Sequence, residues 1–163
     1  MRMHGGGGMR IIPLTLREAN GFVEQHHRHS TRTSNDGGKF AIGLEVDGCL
    51  VGVAIVGRPV ARLLDQPGTA ELLRCCVSPQ APHCACSKLT ARAKRIWQLM
   101  GGIRLVTYTL ARESGASMRA AGLREDGAVP ARRWDTPSRR RATRPIEGED
   151  KVRWTSDLPQ VPA

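Results

Sequence analysis

The chain has 163 residues, enough for one domain with a real core, and 40% of them are apolar, which sets it among globular rather than disordered proteins. Twenty-five lysines and arginines against fifteen aspartates and glutamates give a formal net charge of +10, the balance of a protein whose partner is nucleic acid or another polyanion. No apolar run reaches the roughly 18 residues of a bilayer-crossing helix, the N-terminus lacks the apolar segment of a secretory signal, and five cysteines are an odd number; the expectation is a cytoplasmic protein with no membrane partner and reduced thiols.

In chain order, MRMHGGGGM at residues 1–9 is a low-complexity stretch with nothing to bury, read as a flexible leader to a single domain at 10–163. RIIPLTL is a short strand, and Thr15 followed by Glu18 is a capping box that opens a helix running to about His27, with Phe22 and Val23 on its apolar face. Residues 27–38 form a polar loop. Phe40, Ile42, Leu44 and Val46 alternate as a half-buried strand, Asp47-Gly48 is a hairpin turn, and CLVGVAIVG from Cys49 is apolar enough for burial on both faces. GRPVARLLDQPGT, residues 57–69, is a loop.

A strand follows at Ala70–Val77, and then Leu89, Ala93, Ile96, Trp97 and Met100 form one apolar helical stripe opposite Lys88, Arg92 and Arg95. Ser87 is placed to cap this helix and Gly101-Gly102 to stop it. The free N–H groups at such a helix front, with its dipole, suit a phosphate. IRLVTYTL at 103–110 is a strand by its β-branched content, Glu113 to Gly122 is a short helix with Ser114 near its cap, and LREDGAV and KVRWTSDL are two further strands. Residues 131–150 between these two are basic and irregular; Arg139, Arg140, Arg141 and Arg144 there are either a phosphate clamp or a solvated charge run.

Cys75, Cys76, His83, Cys84 and Cys86 are potential metal ligands, but vicinal Cys75 and Cys76 point to opposite faces of a strand and no C-x-x-C pair recurs, so no metal is expected and buried thiols are the favoured reading. Glu71 alternates with Leu73, Cys75 and Val77, which sets it facing a cleft or, alternatively, as a strand-end carboxylate paired with Arg74. Tyr108, the one tyrosine, is either a proton donor or a core residue with a satisfied hydroxyl.

The order β α β β β α β α β β, with ELLRCCVSPQAPHCACSKL and YTLARESGASMRAAGLRE, resembles the GNAT superfamily of acyl-CoA-dependent N-acyltransferases over about residues 10–156. FVEQHHRHS, KFAIGLEVDGCLVGVAIVGRPVARLLD, WDTPSRRR and DKVRW look like its Mom-like branch, named for the DNA-modification protein of bacteriophage Mu. The resemblance implies an α/β (α+β) fold, a mixed and mostly antiparallel sheet with helices on both faces, its fourth and fifth strands splayed around acetyl-CoA or another acyl-CoA.

It implies further that Cys75, Cys76 and Val77, the backbone of His83, Cys84, Ala85, Cys86, Ser87 and Lys88, and Ser114 hold the cofactor. Cys84 and Cys86 stand where the superfamily's phosphate-binding loop has glycines, and Ala81 where it has Gln or Arg. Glu71, Tyr108 and His29 are the implied proton-transfer groups, and His27, Arg58, Arg62 and Arg74 the implied substrate contacts. The Mom-like likeness points to DNA as acceptor, at an adenine amino group reached by base flipping or on a single strand, with Trp134 or Trp154 as stacking groups. A small-molecule or protein amine is the other acceptor class. A non-catalytic basic DNA-binding protein with a degenerate GNAT fold is the reading from a different function class.

Overall fold

The structure is a computed structural model and describes residues 8–26, 33, 37–131 and 148–162. Strand β1 (Met9–Leu14) leads straight into helix α1 (Leu16–His26), so the strand takes in Met9, one residue of the expected leader. The capping box forms: the Thr15 amide donates to Glu18 Oε2 at 2.8 Å and the Glu18 amide to Thr15 Oγ1 at 3.2 Å, filling two of the donors a helix front leaves orphaned. On its buried face Asn20 reaches Thr33, donating from Nδ2 to the Thr33 carbonyl at 2.9 Å and accepting from its amide at 2.8 Å.

Strands β2 (Gly38–Val46) and β3 (Cys49–Gly57) form the expected hairpin. Its turn residues Asp47 and Gly48 both have positive φ, 51° and 80°, as a two-residue turn matched to the strand twist requires. The expectation of a half-buried β2 is corrected. Ala41 packs with α1 on one face while Ile42 and Leu44 pack on the other, because helices cover both sides of the sheet here.

The remaining elements are a 3-10 turn (Arg62–Leu64), β4 (Thr69–Val77), α2 (Ala85–Leu99), β5 (Arg104–Leu110), α3 (Ala116–Ala120), β6 (Arg124–Val129) and β7 (Lys151–Asp157). Among the described residues the strands form a seven-stranded sheet in the order β1-β2-β3-β4-β5-β7-β6, antiparallel throughout except for the β4–β5 pair. β7 inserts between β5 and β6.

Leu44, Val56, Leu72, Leu105 and the α2 residues Leu89, Ala93 and Trp97 fill the larger core. Phe22 and Val23 of α1 pack on Val53, Ile55 and Cys76 across the other face. Burial of side chains of this size contributes about 1.5–3 kcal/mol each relative to exposure. Two expectations about α2 are corrected. The helix starts at Ala85 with Cys84 as its cap and no capping side chain; Ser87 lies in the first turn, where its hydroxyl donates to the Cys84 carbonyl at 3.0 Å. Met100 lies past the helix end and is 58% exposed, since Trp97 already closes the stripe by donating from Nε1 to the Arg104 carbonyl at 3.0 Å.

A third apolar cluster joins Met118 of α3 and Ala121, which follows the helix, to Leu123 and Trp154. Trp154 is therefore no stacking surface for a nucleobase: it is buried, and its Nε1 donates to Thr109 Oγ1 at 2.9 Å. Trp134, Arg139, Arg140, Arg141 and Arg144 lie outside the described residues.

Candidate active site

The site starts from a strand pairing that stops early. β4 and β5 pair at only three positions, Thr69↔Arg104, Ala70↔Leu105 and Glu71↔Val106. The hydroxyl of Thr107 then donates to the Leu72 carbonyl at 3.0 Å, and beyond that point, among the described residues, β4 is paired only with β3 and β5 only with β7. In the β3–β4 register a shift between Ile55 and Val56 leaves Leu73 without a partner in β3, a bulge of the kind that bends the strand carrying it. A wedge opens between the strands, with Glu71 at its vertex.

At the far end of the wedge, β4 turns through residues 78–84 into α2. Among the described residues the amides of His83, Cys84, Cys86 and Ser87 have no acceptor, while that of Ala85 donates to the Pro82 carbonyl at 2.9 Å and that of Lys88 to the Cys84 carbonyl at 2.9 Å. The expected run of donors from His83 to Lys88 is thereby corrected to four, because a turn and the first helical bond consume the other two. These amides and the positive end of the α2 dipole are of the kind that suits an anion. Ser114 lies before α3, where its hydroxyl accepts from the Ala116 amide at 3.3 Å and Gly115, at a positive φ of 68°, caps the helix.

The bulge also changes which residues share a face with Glu71. Strict alternation puts Cys75 and Val77 beside it, yet these two pack with Leu72 in the α2 core while Cys76 packs with α1. The extra residue at Leu73 reverses the parity, so Glu71 shares the α1 side of the sheet with Cys76, and Tyr108 lies on that side as well, three residues beyond α2-facing Leu105.

Glu71 is buried and accepts a 2.8 Å hydrogen bond from the Val60 amide. Burial pushes its carboxyl above the ordinary carboxylate range, against the Val60 bond and the charges of Arg74 and Lys151. Burial, together with the Glu71 charge, also pushes the Tyr108 hydroxyl above its ordinary value, while Arg153, its partner across the β5–β7 ladder, opposes this by charge and hydrogen bond. A carboxyl tuned toward proton exchange thus stands near a phenol that stays protonated at neutral pH.

Of the implied substrate contacts, Arg58 is exposed and bound to Asp65 at 2.5 Å, Arg62 is exposed on the 3-10 turn, and Arg74 is half-buried, donating to the Leu73 carbonyl at 2.6 Å. His27 and His29 lie outside the described residues. Cys75 and Cys86 are half-buried and Cys84 is exposed; among the described residues no three His, Cys, Asp or Glu side chains converge as a metal site. Sequence reasoning missed Val60, Lys151, Arg153 and Asp126, the last bound to Arg153 at 2.8 Å. Strand register sets Arg153 opposite Tyr108 and Lys151 opposite Leu110, and tertiary contacts bring Asp126 to Arg153 and the Val60 amide to Glu71.

No protein-family model matches the chain, and no curated protein matches it by sequence. Solved structures do match. The ribosomal-protein-S18-alanine N-acetyltransferase of Escherichia coli superposes with a TM-score of 0.66 at 14% identity, over 96% of this chain and 97% of that one. An acetyltransferase of the GNAT family from Desulfovibrio desulfuricans gives a TM-score of 0.63 at 17% identity, over 92% and 99% of the two chains. An acetyltransferase from Salmonella typhimurium, solved with its cofactor acetyl-CoA, gives 0.65 at 16% identity, over 96% and 97%. With its parallel β4–β5 pair splayed beyond Glu71 and its α2 front open behind it, the chain adopts the fold of the GNAT acetyltransferases.

Proposed function

We propose that this protein is an acyl-CoA-dependent N-acyltransferase. The observation that carries the reading is the wedge itself: β4 and β5 part just beyond a buried carboxyl, and the wedge ends at four backbone amides that have no acceptor among the described residues. Acyl-CoA supplies an activated thioester. The amides of His83, Cys84, Cys86 and Ser87 are suited to its pyrophosphate, with Lys88 as an additional cation. The unpaired edges of β4 at Cys75–Val77 and of β5 beyond Thr107 offer backbone partners to an extended, amide-bearing arm.

In this reading Glu71 takes the proton of the incoming amine, directly or through water, its raised pKa bringing it closer to the working pH. Tyr108 keeps its proton at neutral pH and gives it to the departing thiolate, with Arg153 holding the ring oxygen. His29 remains a proposed partner in proton transfer, and Ser114 a proposed contact of the cofactor.

For the acceptor we infer an amino group of a DNA base, adenine by the Mom-like likeness. Support comes from the net charge of +10 and from the loop carrying Arg58 and Arg62, whose Val60 amide binds Glu71. Calorimetry with acetyl-CoA, followed by mass spectrometry of nucleosides from DNA incubated with both, tests the two parts separately. Micromolar binding and a mass increment on one base are the expected outcomes. Binding with acylation only of a small or protein amine replaces the acceptor, and no binding of acetyl-CoA or CoA removes the enzyme reading in favour of a basic binder.

A further inference from the structure

Two thiols that the proposed proton transfers do not use meet where β4 faces the first turn of α2. Cys75 Sγ lies 3.6 Å from Cys86 Sγ and 3.8 Å from the Cys86 carbonyl oxygen. The other three cysteines are elsewhere: Cys76 packs on the α1 side of the sheet, and Cys84 and Cys49 are exposed. We propose that Cys75 and Cys86 are a two-thiol oxidation site that a hydroperoxide converts into an intrachain disulfide.

The chemistry needs a thiolate to attack peroxide and a neighbouring thiol to resolve the product. The hydrogen bond from Cys75 holds the Cys86 thiol down to about 7, helped by the Ser117 and Thr90 hydroxyls and opposed by burial and by the charge of Glu113. The same bond, and burial, push Cys75 well above its ordinary value, so Cys75 keeps its proton. Thr90 approaches this sulfur too, its hydroxyl 3.9 Å from Cys75 Sγ.

In the first step the Cys86 thiolate attacks one peroxide oxygen and the O–O bond breaks; Cys86 becomes a sulfenic acid and the other oxygen leaves as an alkoxide or hydroxide that takes up a proton. In the second, Cys75 loses its proton and attacks the Cys86 sulfur, forming the S–S bond and releasing water. Two thiols are oxidised by two electrons and the peroxide is reduced by two. The two sulfurs must close from 3.6 Å to the roughly 2.05 Å of a disulfide. The product fastens the first turn of α2 to the diverging part of β4.

The test uses the whole reduced chain exposed to hydrogen peroxide, quenched with N-ethylmaleimide under denaturing conditions. Free thiols are expected to fall from five to three, with tandem mass spectrometry of the peptide from Cys75 to Lys88 locating the link at Cys75–Cys86. In a chain with Cys76→Ala and Cys84→Ala, which keeps Cys49, Cys75 and Cys86, three thiols should fall to one. Cys75→Ser should strand Cys86 as a sulfenic acid that dimedone captures. A titre that stays at five, a link through Cys76 or Cys84, or a link between two chains would overturn the assignment.

Discussion

The amide of Val60 donates a 2.8 Å hydrogen bond to Oε2 of Glu71, tying the loop after β3 to the carboxyl at the vertex of the β4–β5 wedge. A buried carboxyl held by one amide is suited to exchanging its proton, and folding raises its pKa, chiefly through burial. Folding therefore favours the protonated form: its contribution to stability is full below the ordinary carboxylate pKa and is lost as pH rises through the raised value. Glu71→Gln, which can still accept from Val60, should lower acyl transfer by roughly 10²–10⁴-fold. The same variant should be more resistant to urea than wild type at pH 7, with the two curves converging on acidification. A variant with wild-type turnover, or less stable than wild type at pH 7, would contradict this role.

Tyr108 offers a cleaner separation of chemistry from folding. Its ring is half-buried and its hydroxyl meets Arg153, so Tyr108→Phe keeps the packing and removes only the proton donor. Turnover is expected to fall by about 10²-fold with acetyl-CoA affinity unchanged, compared by steady-state kinetics and calorimetry. Equal kcat in the two proteins would return Tyr108 to the core.

Ser87 lies in the first turn of α2, its amide has no acceptor among the described residues, and its hydroxyl donates to the Cys84 carbonyl. Ser87→Pro removes that amide where a helix tolerates proline, whereas Ser87→Ala removes only the hydroxyl. Losing one donor to a charged phosphate costs about 1.5–3 kcal/mol, so the proline variant should bind CoA roughly 10- to 100-fold more weakly, with the alanine variant near wild type. Calorimetric affinities that do not separate the two would move the phosphate site away from α2.

The charged loop tests the acceptor. Arg58 is already paired with Asp65 while Arg62 is exposed, and both belong to the loop that reaches Glu71 through Val60. Arg58→Ala with Arg62→Ala should weaken DNA binding and reduce the log-log salt slope by about 0.9 for each duplex phosphate no longer neutralised, leaving acetyl-CoA affinity unchanged. Fluorescence anisotropy over a salt series reads this directly. Identical slopes would mean that the loop does not touch DNA.

What the sequence determined by itself is whatever neighbours along the chain decide. The Thr15–Glu18 capping box, the positive-φ turn at Asp47-Gly48, the stripe of Leu89, Ala93 and Trp97, and the order of strands and helices all depend on residues within a turn or two of each other. The tertiary structure decided what depends on register. One unpaired residue at Leu73 moves Glu71 off the face of Cys75 and Val77, and no local pattern marks it, because the bulge is set by the fit of β4 against β3. The insertion of β7 beside β5 brings Arg153 to Tyr108, and the packing of α2 on β4 brings Cys86 to Cys75. These pairings join residues far apart in sequence or on different elements, and they form only once the buried faces have fixed how the strands and helices align.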